Sequence, residues 1–170
     1  MFNFKKSVLA SIVLMGMAAS AGANAASNAT VVWSGIVPTT NASDKLVITG
    51  QFGDLTSLTG IIKATTDGQF ETNELVLESH ANTGTAASPV VGDLASANWT
   101  LSNASVTYDG LANAAQKVEV EVNGAAVTIG GEIKDVETIS TKIKQTNALP
   151  EAEVGNTTVQ ATLTVMADIV

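Results

Sequence analysis

The sequence predicts an all-β protein whose strands pack as a sandwich. Three observations support this fold class. Short stretches of alternating apolar and polar residues recur along the chain, and turn-forming Asn-Gly and Asp-Gly pairs separate several of them. No segment has a convincing helical pattern. No internal repeat of fixed period is visible, and no linker divides the chain into two parts.

The first residues have the three-part pattern of a secretory signal peptide. A short basic region with Lys5 and Lys6 precedes the apolar residues 8–19, and a small-residue stretch then ends in Ala23-Asn24-Ala25. The apolar run is shorter than the roughly 20 residues that a membrane-spanning helix needs. We therefore expect a signal peptide at residues 1–25, with cleavage between Ala25 and Ala26. The alternative is a buried N-terminal helix.

The expected mature chain is strongly acidic, and its basic residues are all lysines. Removal of residues 1–25 leaves six lysines against 16 acidic residues, a net charge of −10. Such a surface disfavours nucleic acid and anionic membranes as partners. The chain has no Cys, so an exported protein of this sequence depends on its core, its backbone pairing or association instead of disulfides.

Strand-like patterns cover most of the mature chain. The clearest is residues 116–131, where Val118, Val120 and Val122 alternate with charged residues before an Asn123-Gly124 hairpin turn. Residues 133–143 have nearly helical apolar spacing, but their β-branched content favours a strand. Residues 98–110 form one long strand or a bent pair. The other predicted strands are residues 29–40, 45–52, 55–66, 70–79 and 157–170, with a small-residue loop at 80–88. This spacing suits an immunoglobulin-like topology.

Both ends of the mature chain are predicted strands. The C-terminal strand is apolar at every second position: Val159, Ala161, Leu163, Val165, Ala167 and Ile169. The N-terminal strand, residues 29–40, is rich in β-branched residues and is closed by Pro38, which cannot donate to a β-ladder. Because free termini fray unless something holds them, an exposed apolar strand at this position needs an explanation.

No motif for catalysis or metal binding stands out. A Ser/His pair needs an orienting carboxylate and an oxyanion site, and no local motif supports one, so we interpret His80 as an exposed loop residue. Residues 67–74 carry carboxylates without the Asp-x-Asp-x-Asp pattern of a calcium loop. Paired glycosidase carboxylates stay open, since they are placed in space and not in sequence. However, aromatic residues are only 4% of the chain, and Trp33, Trp99 and Tyr108 lie in strand patterns that predict core packing. We expect no enzymatic activity and no cofactor.

Three stretches of the chain carry a resemblance to a known family: "ATVVWSGIVP" at residues 29–38, "VEVEVNGAAVTIG" at 118–130 and "LTVMADIV" at 163–170. Together with the absence of Cys, they resemble the structural subunits of chaperone–usher fimbriae, and most nearly the colonisation-factor pilins of enteric bacteria of the coli surface antigen five type. Residues 44–115 match weakly. Many fimbrial subunits have a Cys pair and a Tyr next to the last residue, and this chain has neither.

The resemblance implies an incomplete immunoglobulin-like β-sandwich that is completed by a donor strand from a neighbouring subunit. Such subunits lack their own last strand, and the N-terminal extension of the next subunit fills the vacant groove by β-strand addition. The implied domains are a donor-strand extension at residues 26–38 and a pilin domain at 39–170. The implied partners are identical subunits, a periplasmic chaperone, an outer-membrane usher and a host receptor.

The resemblance also implies two sets of site residues. In the donor strand, we expect the more apolar alternating set to face the groove: Ala29, Val31, Trp33, Gly35 and Val37. In the C-terminal strand, we expect the alternating apolar residues from Val159 to Ile169 to line the groove edge and to be recognised by the chaperone.

The expected function is therefore that of a structural subunit of a surface fimbria. The subunit would be exported through the periplasm, polymerise by donor-strand exchange and support adhesion to host surfaces. One alternative is a minor or tip subunit that binds a host receptor. A dedicated adhesin would usually carry a second domain before the pilin domain, and the expected mature chain is too short for one. Another alternative is a self-contained secreted β-domain or enzyme, in which residues 29–40 are simply the first strand.

Overall fold

The computed structural model describes residues 30–34, as backbone alone, and residues 42–55 and 58–170. These residues are predominantly β, and all their strand pairs are antiparallel, which confirms the predicted all-β class. The strands are β1 (Thr30–Ser34), β2 (Leu46–Gly50), β3 (Thr59–Ala64), β4 (Phe70–Thr72), β5 (Leu75–Asn82), β6 (Val91–Leu94), β7 (Ala97–Tyr108), β8 (Val118–Val122), β9 (Ala125–Val127), β10 (Glu132–Val136), β11 (Thr138–Gln145) and β12 (Val159–Ile169). A 3-10 turn, Gln51–Gly53, and one helical turn, α1 (Glu151–Val154), accompany them.

The described strands form a nine-stranded sheet, the large sheet, and a three-stranded sheet, the small sheet, in the order β10-β7-β12. Residues with two partners fix the order of the large sheet. Thr141 of β11 pairs with Val122 of β8 and with Leu75 of β5, so β8 and β5 lie on opposite edges of β11. By the same reasoning, β4 lies on the same edge of β11 as β5. The outer edge of β4 pairs with β3, and the outer edge of β5 pairs with β2. β1 then forms the outermost strand beside β3.

The pairing of β7 with β12 contains a β-bulge at Ser102. Thr164 is opposite Asn103, whereas Val165 is opposite Leu101, so Ser102 is an extra residue on β7. Buried residues of β7 are odd-numbered before the bulge and even-numbered after it: Ala97, Trp99 and Leu101, then Val106 and Tyr108. The bulge therefore keeps the apolar side chains of one long strand on the core side. Residues 98–108 belong to one irregular strand, not to a bent pair, and residues 109–110 form the turn that follows it.

The core lies between the two sheets and contains Trp99 and Tyr108. Trp99 is fully buried, and its indole N–H donates to the carbonyl oxygen of Val136 at 3.0 Å. Tyr108 is buried as well. The predicted core positions of Trp99 and Tyr108 are thus confirmed, whereas the side chain of Trp33 lies outside the described part of the chain.

The prediction that His80 is an exposed loop residue is wrong. β5 continues through Asn82, and His80 is only 7% exposed. Its neighbour Ser79 is also buried, so this part of β5 is covered on both faces and lacks the alternation that marks a half-buried strand. The predicted strand 70–79 is in fact β4 and β5, with a break at Asn73 and Glu74.

Residues 133–143 are strands, as predicted, but they form two strands in different sheets. β10 belongs to the small sheet, and β11 begins in the large sheet after Glu137. The three-residue step from Ile133 to Val136 spans a register shift of β10, where Asp135 has a φ of +58°, and the step from Val136 to Ile139 crosses from one sheet to the other. The hairpin of β8 and β9 is confirmed, and its turn residues Asn123 and Gly124 have φ values of +52° and +77°.

Candidate assembly site

The strand β1 is the outermost strand on its side of the large sheet among the strands that the structure describes. It pairs antiparallel with β3, with Thr30 opposite Lys63 and Ser34 opposite Thr59. Cα atoms of β1 also come within 8 Å of β12 in the small sheet. Among the described strands, β12 has β7 as its single hydrogen-bonded neighbour. β1 is therefore paired with β3 and close to β12, an edge strand of the small sheet, and these three strands are the candidate assembly site.

The register of β1 follows the alternation of β3. Ile62 is fully buried and Gly60 is buried, whereas Ile61 between them is half exposed. Val31 is opposite Ile62, and Trp33 is opposite Gly60. These two members of the expected groove-facing set thus take the register positions opposite the buried residues of β3. The other members, Ala29, Gly35 and Val37, lie outside the described residues, as does the expected signal peptide with its Ala25-Ala26 cleavage site.

The C-terminal strand β12 is buried at its start and open at its end. Val159 and Ala161 are fully buried, and the next three alternating residues, Leu163, Val165 and Ala167, are partly buried against the core. Ile169 is 49% exposed, although it continues the same alternation. The described residues leave the second edge of β12 without a hydrogen-bonded strand, so its apolar side chains are covered less and less towards the C-terminus.

Charged residues near the site lie on the outer surface of the large sheet. Glu71 of β4 pairs with Lys142 and Lys144 of β11 at 3.1 and 3.8 Å, and Lys144 also pairs with Glu121 of β8 at 2.8 Å. The hydrogen bond from Lys142 and the charge of Lys144 hold the pKa of Glu71 below its usual value. The inward positions of β3 and β12, by contrast, carry no charged residue. The candidate site is therefore apolar inside and charged outside.

Sequence reasoning did not single out Gly60 and Ile62, the β3 residues that face the core at this site. A signal for Gly60 was present, because a glycine inside a strand pattern often marks a place where another backbone or a large side chain comes close. The sequence could not show that β3 would be the partner of the N-terminal strand, since the pairing of distant strands is not encoded in local alternation.

Two of the three carboxylates considered for calcium binding, Asp67 and Glu71, are engaged within the protein. Asp67 accepts hydrogen bonds from the hydroxyl of Thr65 and the backbone N–H of Gln69, and Glu71 pairs with two lysines. Across the described ranges, no group of three or more His, Asp or Glu side chains is close enough to hold a metal ion. The same ranges contain no helix with the length and apolarity that crossing a bilayer requires.

Comparison with known proteins adds no family assignment. No protein-family model matches the chain, and no curated protein is significantly similar to it. A functional proposal therefore rests on the three resembling stretches, the position of β1 and the burial pattern along β12.

Proposed function

We propose that this protein is a structural subunit of a bacterial surface fimbria and that β1 is the strand that joins one copy to the next. The observation that carries the proposal is the position of β1. It is the first described strand, it is the outermost strand of the large sheet, and it is adjacent to β12. An edge position of this kind can be filled equally well by the same strand of a second copy.

In this proposal the sandwich is immunoglobulin-like, and β1 takes the place of its last strand. β3 and β12 are then the two walls of a groove. Without β1, the edge of β3 would be unpaired and the half-buried Leu163 and Val165 would be more exposed, together with Ile169. Unpaired edges and exposed apolar patches favour uncontrolled association. A strand from a neighbouring copy would cover both walls at once.

The register of β1 supports the assignment of its groove-facing residues. Opposite residues of an antiparallel pair lie on the same face, so Val31 and Trp33 would enter the groove beside Ile62 and Gly60. Gly60, at the register position opposite Trp33, has no side chain that would occupy the groove. Burial of each large apolar side chain contributes roughly 1.5–3 kcal/mol, and the added backbone hydrogen bonds contribute about 0.5–1.5 kcal/mol each. Together, these contributions from side-chain burial and backbone hydrogen bonds support slow dissociation of neighbouring subunits without covalent bonds.

The proposal requires partners before assembly, since the empty groove needs a temporary occupant. A periplasmic chaperone would supply a strand to it, and an outer-membrane usher would be the place where β1 of the next subunit replaces that strand. The assembled fimbria would lie on the cell surface and support adhesion to host surfaces.

A second function is favoured by one observation. β1 pairs with β3 of its own chain, which is what a self-contained secreted β-sandwich would have. In that case β1 would be the first strand of a closed domain, and the protein would stay monomeric.

The first test is electron microscopy of cell-surface material from bacteria that produce the variants. Val31 and Val32 form a matched pair, since adjacent residues of a strand point to opposite faces. Val31→Asp would place a charge in the groove and should abolish filaments, whereas Val32→Asp should leave them intact. Deletion of residues 26–38 should also abolish filaments. Filaments from the deleted chain, or equal behaviour of the two Asp variants, would contradict the proposal.

A further inference from the structure

A second buried cluster lies on the outer surface of the large sheet, where a strand would normally face solvent. Val47 is opposite His80, and Thr49 is opposite Glu78, so these residues share one face of β2 and β5. Leu46 and Leu77 point the other way, into the core. Val47, Thr49 and His80 are nevertheless buried. Their burial requires a cover on this face.

Glu78 and His80 form hydrogen bonds to the segments that cover this face. Nε2 of His80 lies 3.1 Å from Oε2 of Glu78, and Nδ1 lies 2.9 Å from the carbonyl oxygen of Gly92 in β6. The same Oε2 atom of Glu78 accepts the backbone N–H of Gly53 at 3.1 Å. The side chains of His80 and Glu78 are only 9% and 12% exposed. The pair thus connects β5 to β6 and to the 3-10 turn Gln51–Gly53.

The turn that Glu78 holds displays Phe52 to solvent. The residue is 89% exposed, and its backbone is left-handed with a φ of +63°. Both features are unfavourable for a bulky apolar residue. The contacts of Glu78 therefore hold the turn in a conformation that Phe52 would not adopt by itself.

The two contacts of His80 need a doubly protonated ring. A carbonyl oxygen and an ionised carboxylate can only accept hydrogen bonds. Both ring nitrogens must therefore carry hydrogen for both contacts to be hydrogen bonds. A neutral imidazole has one N–H group, so on deprotonation one of the two contacts becomes a repulsion between lone pairs. Imidazoles exchange this proton between about pH 5 and 8.

The ionisation of Glu78 determines down to which pH its carboxylate can accept these hydrogen bonds. Burial alone would raise the pKa of Glu78, but the hydrogen bonds from His80 and from the N–H groups of Phe52 and Gly53 hold it below its usual value. The carboxylate therefore stays ionised in mildly acidic solution. Other charged residues on or next to the elements around His80 are Asp93 of β6, Asp54 after the 3-10 turn, Asp44 and Lys45 before β2, Glu137 before β11, and Lys142 and Lys144 within β11.

We propose that Glu78 and His80 form a proton-controlled latch on the turn Gln51–Gly53. The latch is closed, with Phe52 displayed, when His80 is protonated and Glu78 is ionised. It loosens when His80 loses its proton or when Glu78 gains one. The latch is independent of whether β1 pairs within one chain or between chains.

The test is amide hydrogen exchange of the mature chain, followed by NMR and expressed as a protection factor to remove the intrinsic pH dependence. The protection of the Gly53 amide should be greatest near pH 5 and about tenfold lower near pH 8, as expected when a hydrogen bond to a charged group is lost. The amide of Ile143, which bonds to Thr72 in the core, should not change. His80 is the one histidine of the chain, so its ring nitrogen signals are unambiguous, and both nitrogens should carry hydrogen where protection is greatest.

Two variants test separately the two ways in which the latch loosens, which are the loss of the His80 proton and the gain of a proton by Glu78. His80→Gln should lower Gly53 protection and remove its change between about pH 5 and 8. Glu78→Gln should lower protection throughout this range. Glu132→Gln, which alters an exposed ion pair with Lys134, should behave like the unaltered chain. Equal Gly53 protection near pH 5 and pH 8 in the unaltered chain would overturn the proposal, even if a variant failed to fold. A singly protonated ring at the pH of greatest protection would also overturn it.

Discussion

The hydroxyl of Tyr108 donates a 2.6 Å hydrogen bond to the carbonyl oxygen of Gly68 inside the protein. This contact joins β7 of the small sheet to the turn between β3 and β4 of the large sheet. The side-chain amide of Gln145 also reaches the Gly68 carbonyl, at a longer distance of 3.4 Å. Gly68 has a φ of +76° and is buried. The bond therefore closes one end of the sandwich at a position where the turn itself requires glycine.

Tyr108→Phe should lower the free energy of unfolding by about 1–2 kcal/mol, because the Gly68 carbonyl loses its shorter hydrogen bond. Burial raises the pKa of Tyr108, the hydrogen bond with Gln145 opposes this, and the charge of Asp67 raises it further. The stabilising contribution is thus complete below about pH 10 and is lost as the pH rises through the folded-state pKa. Urea unfolding measured at neutral and alkaline pH checks both points. If Tyr108→Phe left the free energy of unfolding at neutral pH unchanged, the stabilising role of the hydroxyl would be contradicted. If the Phe variant lost as much stability at alkaline pH as the unaltered chain, the titration of Tyr108 would not be the cause of that loss.

Ser102→Ala should leave the free energy of unfolding unchanged or raise it by up to about 1 kcal/mol. The Oγ atom of Ser102 is buried in the β7 bulge and, alone among the buried side-chain polar atoms of the described residues, has no hydrogen-bond partner. Removal of an unpartnered buried hydroxyl relieves a desolvation cost. Ser79→Ala is the matched control, since the Ser79 hydroxyl donates to Ala95 at 2.6 Å, and it should destabilise. Destabilisation by Ser102→Ala as large as that by Ser79→Ala would show that the hydroxyl has a partner.

Glu71→Gln should reduce the loss of thermal stability on acidification. The pKa of Glu71 is lowered by Lys142 and Lys144, so its stabilising contribution is present above the usual carboxyl pKa and is lost as the pH falls through the lowered value. The pairs are partly exposed, and about 1 M salt should weaken them. Glu74→Gln is the control, because no ion pair of Glu74 occurs in the described residues. Thermal unfolding from neutral to acidic pH is the measurement, and identical profiles for the two variants would refute the role of Glu71.

Leu163→Asp should prevent periplasmic accumulation, whereas Thr164→Asp should be tolerated. Leu163 packs partly buried against the core, and Thr164 is the adjacent residue on the opposite face of β12. Val165→Asp should behave like Leu163→Asp. Immunoblots of periplasmic fractions measure the outcome. If all three variants accumulated equally, the assignment of the inward face of β12 would be incorrect.

Local alternation was enough to predict the all-β class, the hairpin at Asn123-Gly124 and the long strand β12, because each of these depends on neighbouring residues. The bulge at Ser102 was not predictable, since two runs of opposite parity in β7 are indistinguishable from a bent pair of strands. The burial of His80 was missed because its cover comes from β6 and from the turn around Gly53, which lie at other positions in the sequence. The pairing of β1 with β3 was missed for the same reason: partners of distant strands are chosen by packing and not by local pattern.

The measurement that tests the assembly proposal most directly is disulfide trapping between β1 and β3. The chain has no Cys, and Val32 is opposite Ile61 across the two strands, at a separation that suits a disulfide in antiparallel pairs. Bacteria would produce the Val32→Cys and Ile61→Cys single variants together, and the surface material would be separated on denaturing gels without reductant. Neither variant can form this bond within one chain. The account predicts a covalent dimer of the two variants when they are co-produced, and a ladder of covalent multimers from the double variant. Monomers alone in the mixture, with an internal disulfide in the double variant, would contradict it.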